Sequence, residues 1–153
     1  MKARSILLTV GLCFAIAPCF AQSPQLGTWK LNEAKSHMPP GSMVNTNVVY
    51  EAVGDQVKVT TDGTYGDQKP VHTEWTGKFD GKGYPLAGDS AADSRSYKMV
   101  NPHTLTMANM QGGKVTSTGR IVVSADGKSR TLSVTGTDPA GKKFSSVAVY
   151  NKE

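Results

Sequence analysis

The chain has 153 residues, 38% of them hydrophobic and 19% charged, with a formal net charge of +5. That length holds one hydrophobic core and hardly a second. The basic residues are scattered, with Lys142-Lys143 as the only adjacent pair, so nothing resembles a nucleic-acid patch or a polybasic membrane segment.

The first elements belong to targeting rather than to the fold. Lys2 and Arg4 precede an apolar run through Phe20, and Pro18 breaks that run just before Cys19-Phe20-Ala21. This is the pattern of a signal peptide over residues 1–21, cleaved after Ala21 and leaving one domain over 22–153. The run is shorter than the ~20 residues of a membrane-spanning helix. Pro18 stands where a lipoprotein signal has a small residue, which argues against lipidation of Cys19. The expected location is periplasmic or secreted. Both cysteines, Cys13 and Cys19, leave with the leader, which rules out disulfides, thiolate nucleophiles and cysteine-held metals in the mature chain. Without Lys2 and Arg4, the 17 basic residues become 15 against 12 acidic ones, a net of +3.

Turn signals then arrive at short intervals: Gly54-Asp55, Asp62-Gly63, Gly66-Asp67, Asp80-Gly81-Lys82-Gly83, Asn101-Pro102, Gly112-Gly113, Asp126-Gly127 and Asp138-Pro139-Ala140-Gly141. Asp-Gly and Gly-Gly supply the positive φ of tight hairpins. The stretches between them are rich in Val, Thr and Tyr, which predicts strands over 27–32, 44–52, 56–61, 70–79, 95–100, 104–110, 114–124, 129–136 and 143–151, with a short one near 84–86. The single helical candidate is 32–38, capped by Asn32 and stopped by Pro39-Pro40. Val57 and Val59 alternate with polar neighbours, as do Val71, Thr73 and Trp75, and Leu132 and Val134, so each strand has one packed and one wet face. Consecutive hairpins of this kind predict an all-β, antiparallel, up-and-down meander of 8–10 strands that closes into a small barrel, with a sandwich as the alternative.

The opening strand, Leu26-Gly27-Thr28-Trp29-Lys30-Leu31, resembles the first strand of the calycin superfamily, the lipocalins and fatty-acid-binding proteins, whose hallmark is Gly-x-Trp. The resemblance implies a closed barrel holding one small hydrophobic ligand, with Gly27 and Trp29 plugging its base. Physically, an indole suits that post, because it buries a large apolar area while its N–H finds a carbonyl. There are departures. Residues 33–43 are too short and too proline-rich for the two lid helices of fatty-acid-binding proteins. Their Arg-x-Tyr, which grips a ligand carboxylate, is here Ala148-Val149-Tyr150. The lipocalin pattern expects a late arginine packed across the tryptophan, and Arg120 and Arg130 are the candidates.

Chemistry is sparsely signalled. His72-Thr73-Glu74 puts an imidazole and a carboxylate on one strand face, but no third ligand at a zinc-site spacing follows, and a cross-strand polar pair explains it as well. Asp62 and Asp67 lack the pattern of a calcium loop. There is no nucleophile elbow and no phosphate loop opening a helix. Ser94-Arg95-Ser96 reads as the polar beginning of a strand. Trp75, Tyr97, Met99, Met107, Phe144 and Tyr150 are candidates for a ligand-lined interior, although each would serve equally as core. The expectation is an exported, lipocalin-like binding module for a small hydrophobic ligand, neutral because Ala148 replaces the arginine, with no cofactor, no metal, no nucleic-acid partner and no enzymatic activity. The alternatives are a solid structural domain and a barrel enzyme using His72 and Glu74.

Overall fold

A computed structural model describes residues 23–66, 68–138 and 140–153. The expected leader and both cysteines lie outside the described residues, as do Asp67 and Pro139. Ten antiparallel strands follow one another: β1 (Gly27–Leu31), β2 (Val44–Val53), β3 (Gln56–Thr64), β4 (Pro70–Gly77), β5 (Asp80–Ala87), β6 (Ser94–Asn101), β7 (Thr104–Gln111), β8 (Lys114–Val123), β9 (Ser129–Thr137) and β10 (Lys143–Lys152). Each pairs with its neighbour in sequence, and β10 returns to β1 through Trp29–Lys152 and Leu31–Tyr150, closing a barrel. The predicted meander is therefore the observed one. Closure removes every free edge, which is how an all-hairpin chain satisfies its outermost backbone groups. Among the described residues, no helix is long and apolar enough to cross a membrane.

β1 is too short to cover β10 alone. The chain beyond it takes a single 3₁₀ turn at Glu33–Lys35, where Asn32 Oδ1 accepts from the Lys35 amide at 3.2 Å. It then runs along β10, with His37 and Val147 exchanging backbone bonds of 2.7 and 2.8 Å. The predicted cap at Asn32 thus serves to turn the chain into a wall patch.

β5 departs from expectation. Asp80-Gly81-Lys82-Gly83 is not a loop but the first half of a full strand. The hairpin turns earlier, at Lys78-Phe79, and the register slips between Asp80 and Gly83. Gly81 takes φ +85°, so the glycine builds a bulge inside the ladder instead of a turn between ladders.

Inward side chains stack in layers, because directly opposed residues share a face. At the Trp29 end, Val123, Arg130 and Tyr150 oppose one another across β8, β9 and β10. Leu105, Ile121, Leu132 and Ala148 form the next layer, then Tyr97, Met107, Gly119, Val134 and Ser146, and then Arg95, Asn109, Ser117, Gly136 and Phe144.

Candidate functional site

The Trp29 end is shut. Trp29 is fully buried and donates from Nε1 to the Gln25 carbonyl at 2.9 Å. Arg130, only 2% exposed, lies with its guanidinium carbon 4.8 Å from the ring centroids of both Tyr50 and Tyr150. It also faces the indole of Trp29, and its Nε and Nη1 face aromatic rings rather than acceptors. Burial drives the Tyr150 phenol up to about 12, against the downward pull of Arg130. The Tyr50 phenol is raised too, first by burial and then by Tyr97. Of the two arginines that the calycin pattern left open, Arg130 is the one against the tryptophan, and Arg120 points outward in an exposed position.

Above this floor an aromatic cluster fills one side of the lumen. Trp75 and Tyr97 meet edge to face at 4.8 Å, Phe79 stacks on Trp75 at 6.4 Å, and Tyr50 and Phe79 both approach Tyr97. Trp75 Nε1 donates to the Arg95 carbonyl at 2.8 Å, tying β4 to β6. That link matters because β4 and β5 pair at only two positions, Glu74–Ala87 and Trp75–Leu86.

The other half differs. On β9 and β10 the inward residues Arg130, Ala148 and Tyr150 near the floor are buried and Leu132 beside Ala148 is half-exposed, and farther up Val134, Gly136, Phe144 and Ser146 are all half-exposed. Solvent therefore enters the barrel from the end opposite Trp29. A hydrogen-bonded row crosses this mouth. Arg95 Nε donates to Asn109 Oδ1 at 2.6 Å, and Asn109 Nδ2 donates to Ser117 Oγ at 3.0 Å. Arg95 Nη1 reaches the Tyr97 hydroxyl at 3.4 Å, and Nη2 lies 3.9 Å from a carboxylate oxygen of Asp89, whose side chain is nearly buried in the β5–β6 loop. Burial works against the Arg95 charge, but Tyr97, Tyr50 and Asp89 together outweigh it and hold the guanidinium above its usual range.

Gly136 completes the row. A Cβ there would stand 2.6 Å from Ser117 Cβ and 2.8 Å from Phe144 Cζ, so the missing side chain lets the Phe144 ring lie across β9 beside Ser117. A shallow concavity of about 430 Å³ reaches this rim at Ser117, Gly136 and Phe144 and continues onto the outer wall at Thr118, Thr135 and Lys143.

The six residues expected to line an interior thus part company. Trp75, Tyr97, Met107 and Tyr150 are buried, and Met99 packs against the same core from a half-buried position. Phe144 alone among the six stands at the mouth. Arg95, read from sequence as part of a polar strand beginning, is an inward residue. Its signal was phase, because Arg95, Tyr97 and Met99 are two apart and share a face.

His72 and Glu74 lie on the opposite surface of the wall. His72 Nδ1 is 2.6 Å from Asp62 Oδ1, its Nε2 is 3.8 Å from Glu74, and Glu74 accepts from Lys58 Nζ at 2.7 Å. All four are partly exposed and turned away from the lumen, as expected of a cross-strand polar pair. Among the described residues, no three His, Asp or Glu side chains are grouped to hold a metal ion.

No known family model matches the chain, and no curated protein does. Among solved structures, the chain is similar to EF1p2_mFAP2b bound to DFHBI, at 11% identity and a TM-score of 0.47 over 85% of this chain and 94% of that one. It is also similar to the redesigned β-barrel mFAP1 bound to DFHBI, at 14% identity and a TM-score of 0.43 over 85% and 98%. Lobster apocrustacyanin A1 is similar at 13% identity and a TM-score of 0.39, over 86% of this chain and 62% of that one.

Proposed function

We propose that this chain is a calycin-type binding module, exported after loss of residues 1–21, that acts by holding a small, largely apolar, neutral ligand in the open half of the barrel. The observation that carries this reading is the rise in exposure of inward residues along β9 and β10 away from Trp29, from buried Arg130, Ala148 and Tyr150 to half-exposed Val134, Gly136, Phe144 and Ser146, while Arg95 and Ser117 across the mouth stay buried. Apolar contact with Val134 and Phe144 supplies affinity at roughly 25 cal/mol per Å² buried, and the Arg95 row orients the ligand. The expectation of neutrality rested on Ala148 in place of an arginine. Arg95 supplies an interior guanidinium after all, but Asp89 already balances its charge, so its remaining capacity suits a neutral acceptor such as a hydroxyl or carbonyl oxygen.

The test is titration with the neutral dye N-phenylnaphthylamine. One dye per chain is expected to bind, to be displaced by dodecanol at least tenfold more readily than by dodecanoate, and to be lost in Ser146→Trp, which fills the mouth. Dodecanoate displacing better than the alcohol would overturn the neutral-ligand reading. Absence of saturable binding would favour a second reading, a solid barrel working through its outer surface. That alternative draws on the Trp75–Phe79–Tyr97 cluster, which occupies much of the lumen. N-terminal sequencing of the protein from an extracytoplasmic fraction tests export, and a chain still beginning at Met1 would overturn it.

A further inference from the structure

The outside of the barrel is divided by charge. No acidic residue occurs on β6, β7, β8, β9 or β10, whereas Lys98, Lys114, Arg120, Lys143 and Lys152 occupy outward or terminal positions on them. β2 to β5 carry Glu51, Asp62, Glu74 and Asp80, and there Lys58 is paired with Glu74 and Lys78 at the β4–β5 turn with Asp55. Among the described residues, Lys98, Arg120 and Lys143 take part in no ion pair. The carboxylate opposite Lys98 in register, Asp80, is already committed to the Lys82 amide and the Tyr84 hydroxyl.

These three cations lie along one furrow. A shallow concavity of about 580 Å³ runs over β6 to β9 and contains Lys98, Thr106 and Arg120. It shares Thr118 and Thr135 with the concavity of about 430 Å³ that contains Lys143. Lys98 and Arg120 both oppose Thr106, one from each side of β7, so their backbones stand about 10 Å apart, two strand spacings. Among the described residues, the hydroxyls of Thr106, Thr118 and Thr135 have no hydrogen-bond partner, and they face the furrow.

We propose that this furrow is a docking surface for a linear acidic polysaccharide. Charge complementarity calls for a polyanion, the length of the furrow for a linear one, and the free threonine hydroxyls for a partner that is itself rich in hydroxyls. Single-stranded nucleic acid fits less well, because such grooves offer successive aromatic rings for stacking and Phe144 is the one ring here. A lipid surface would need aromatic or long aliphatic anchors, and the large exposed apolar residues on β6 to β9 are the single valines Val100, Val115 and Val122. The furrow meets the barrel's mouth at Ser117, Gly136 and Phe144, but Lys98, Arg120 and Lys143 lie on its outer side, so the inference does not require a small ligand in the mouth.

The experiment compares the whole secreted chain with two triple variants of equal charge change, Lys98→Ala/Arg120→Ala/Lys143→Ala on the furrow and Lys30→Ala/Lys58→Ala/Lys78→Ala on the far side. Each is titrated with polygalacturonate, heparin, duplex DNA and phosphatidylglycerol vesicles, with melting temperature as the folding control. Lys98, Arg120, Lys143 and Lys30 are exposed, and Lys58 and Lys78 are half-exposed in surface ion pairs worth little to stability, so both variants are expected to fold. Polygalacturonate or heparin should bind, with affinity weakened at least tenfold in the furrow variant, less than twofold in the far-side variant, and a shallower salt dependence in the former. Equal weakening in both variants, tighter binding of DNA or vesicles than of either glycan, or binding of no polyanion would overturn the proposal.

Discussion

The guanidinium of Arg130 on β9 lies 5.2 Å from the indole centroid of Trp29 on β1, reaching across the barrel floor past the intervening β10. The two were candidates on separate grounds, one as a plug and the other as one of two late arginines. Their contact, together with Tyr50 and Tyr150, makes the floor a cation enclosed by rings.

Trp29→Ala is expected to cost about 3–5 kcal/mol, the range for emptying a large buried aromatic site. Arg130→Met keeps much of the arginine's volume but removes the cation from three rings, each such contact being worth about 0.5–2 kcal/mol. It also removes a desolvated charge, so its cost should be smaller than that of Trp29→Ala. Urea denaturation checks both, and an Arg130→Met loss exceeding that of Trp29→Ala would mean that the cation, not the indole, organises the floor.

Gly136→Ala is expected to destabilise the barrel by about 1–3 kcal/mol, because the new methyl meets Ser117 Cβ at 2.6 Å and the Thr116 carbonyl at 2.7 Å in a wall that cannot easily open. Gly112→Ala, which meets nothing but takes φ +57°, should cost less, about 1 kcal/mol, from backbone strain alone. Thermal melts of the two variants, run side by side, give the comparison, and equal losses would contradict the crowding at Gly136.

His72 provides the pH dependence. Its hydrogen bond to Asp62, with support from Glu74, raises its pKa above the usual 6.5. A raised folded-state pKa means that the contribution to stability is fully present below about pH 6.5 and is lost as pH rises through the folded value. Proton NMR titration should place the His72 midpoint above that of Asp62→Asn. The stability gap between the two proteins should shrink from pH 6 to pH 8, and a widening gap would reverse the assignment of the partner.

The fold was largely readable because hairpin chemistry and alternation agree along the chain. Asp126-Gly127 and Gly112-Gly113 turn where expected, and Val57, Val59, Trp75 and Leu105 are buried as their phase requires. β5 was misread because Asp80-Gly81-Lys82-Gly83 has the composition of a loop, and only the partner strand reveals that Gly81 is a bulge. Arg95 was missed for a different reason. A charged residue at the edge of a strand is usually wet, and its enclosure depends on Asn109 and Asp89, residues placed opposite it only by the β6–β7 register and the β5–β6 loop. Phase narrows the candidates for the interior, while depth along the barrel, which separates Phe144 from Tyr150 on one strand, is a property of closure.

The seam between β1 and β10 has a consequence for synthesis. Trp29 lies on the barrel's first strand and its neighbour across the seam, Lys152, on its last, so the barrel has no inside until β10 is available. Folding must wait for its final strand, and a nascent or C-terminally clipped chain presents its apolar faces as an open ribbon rather than as a smaller barrel.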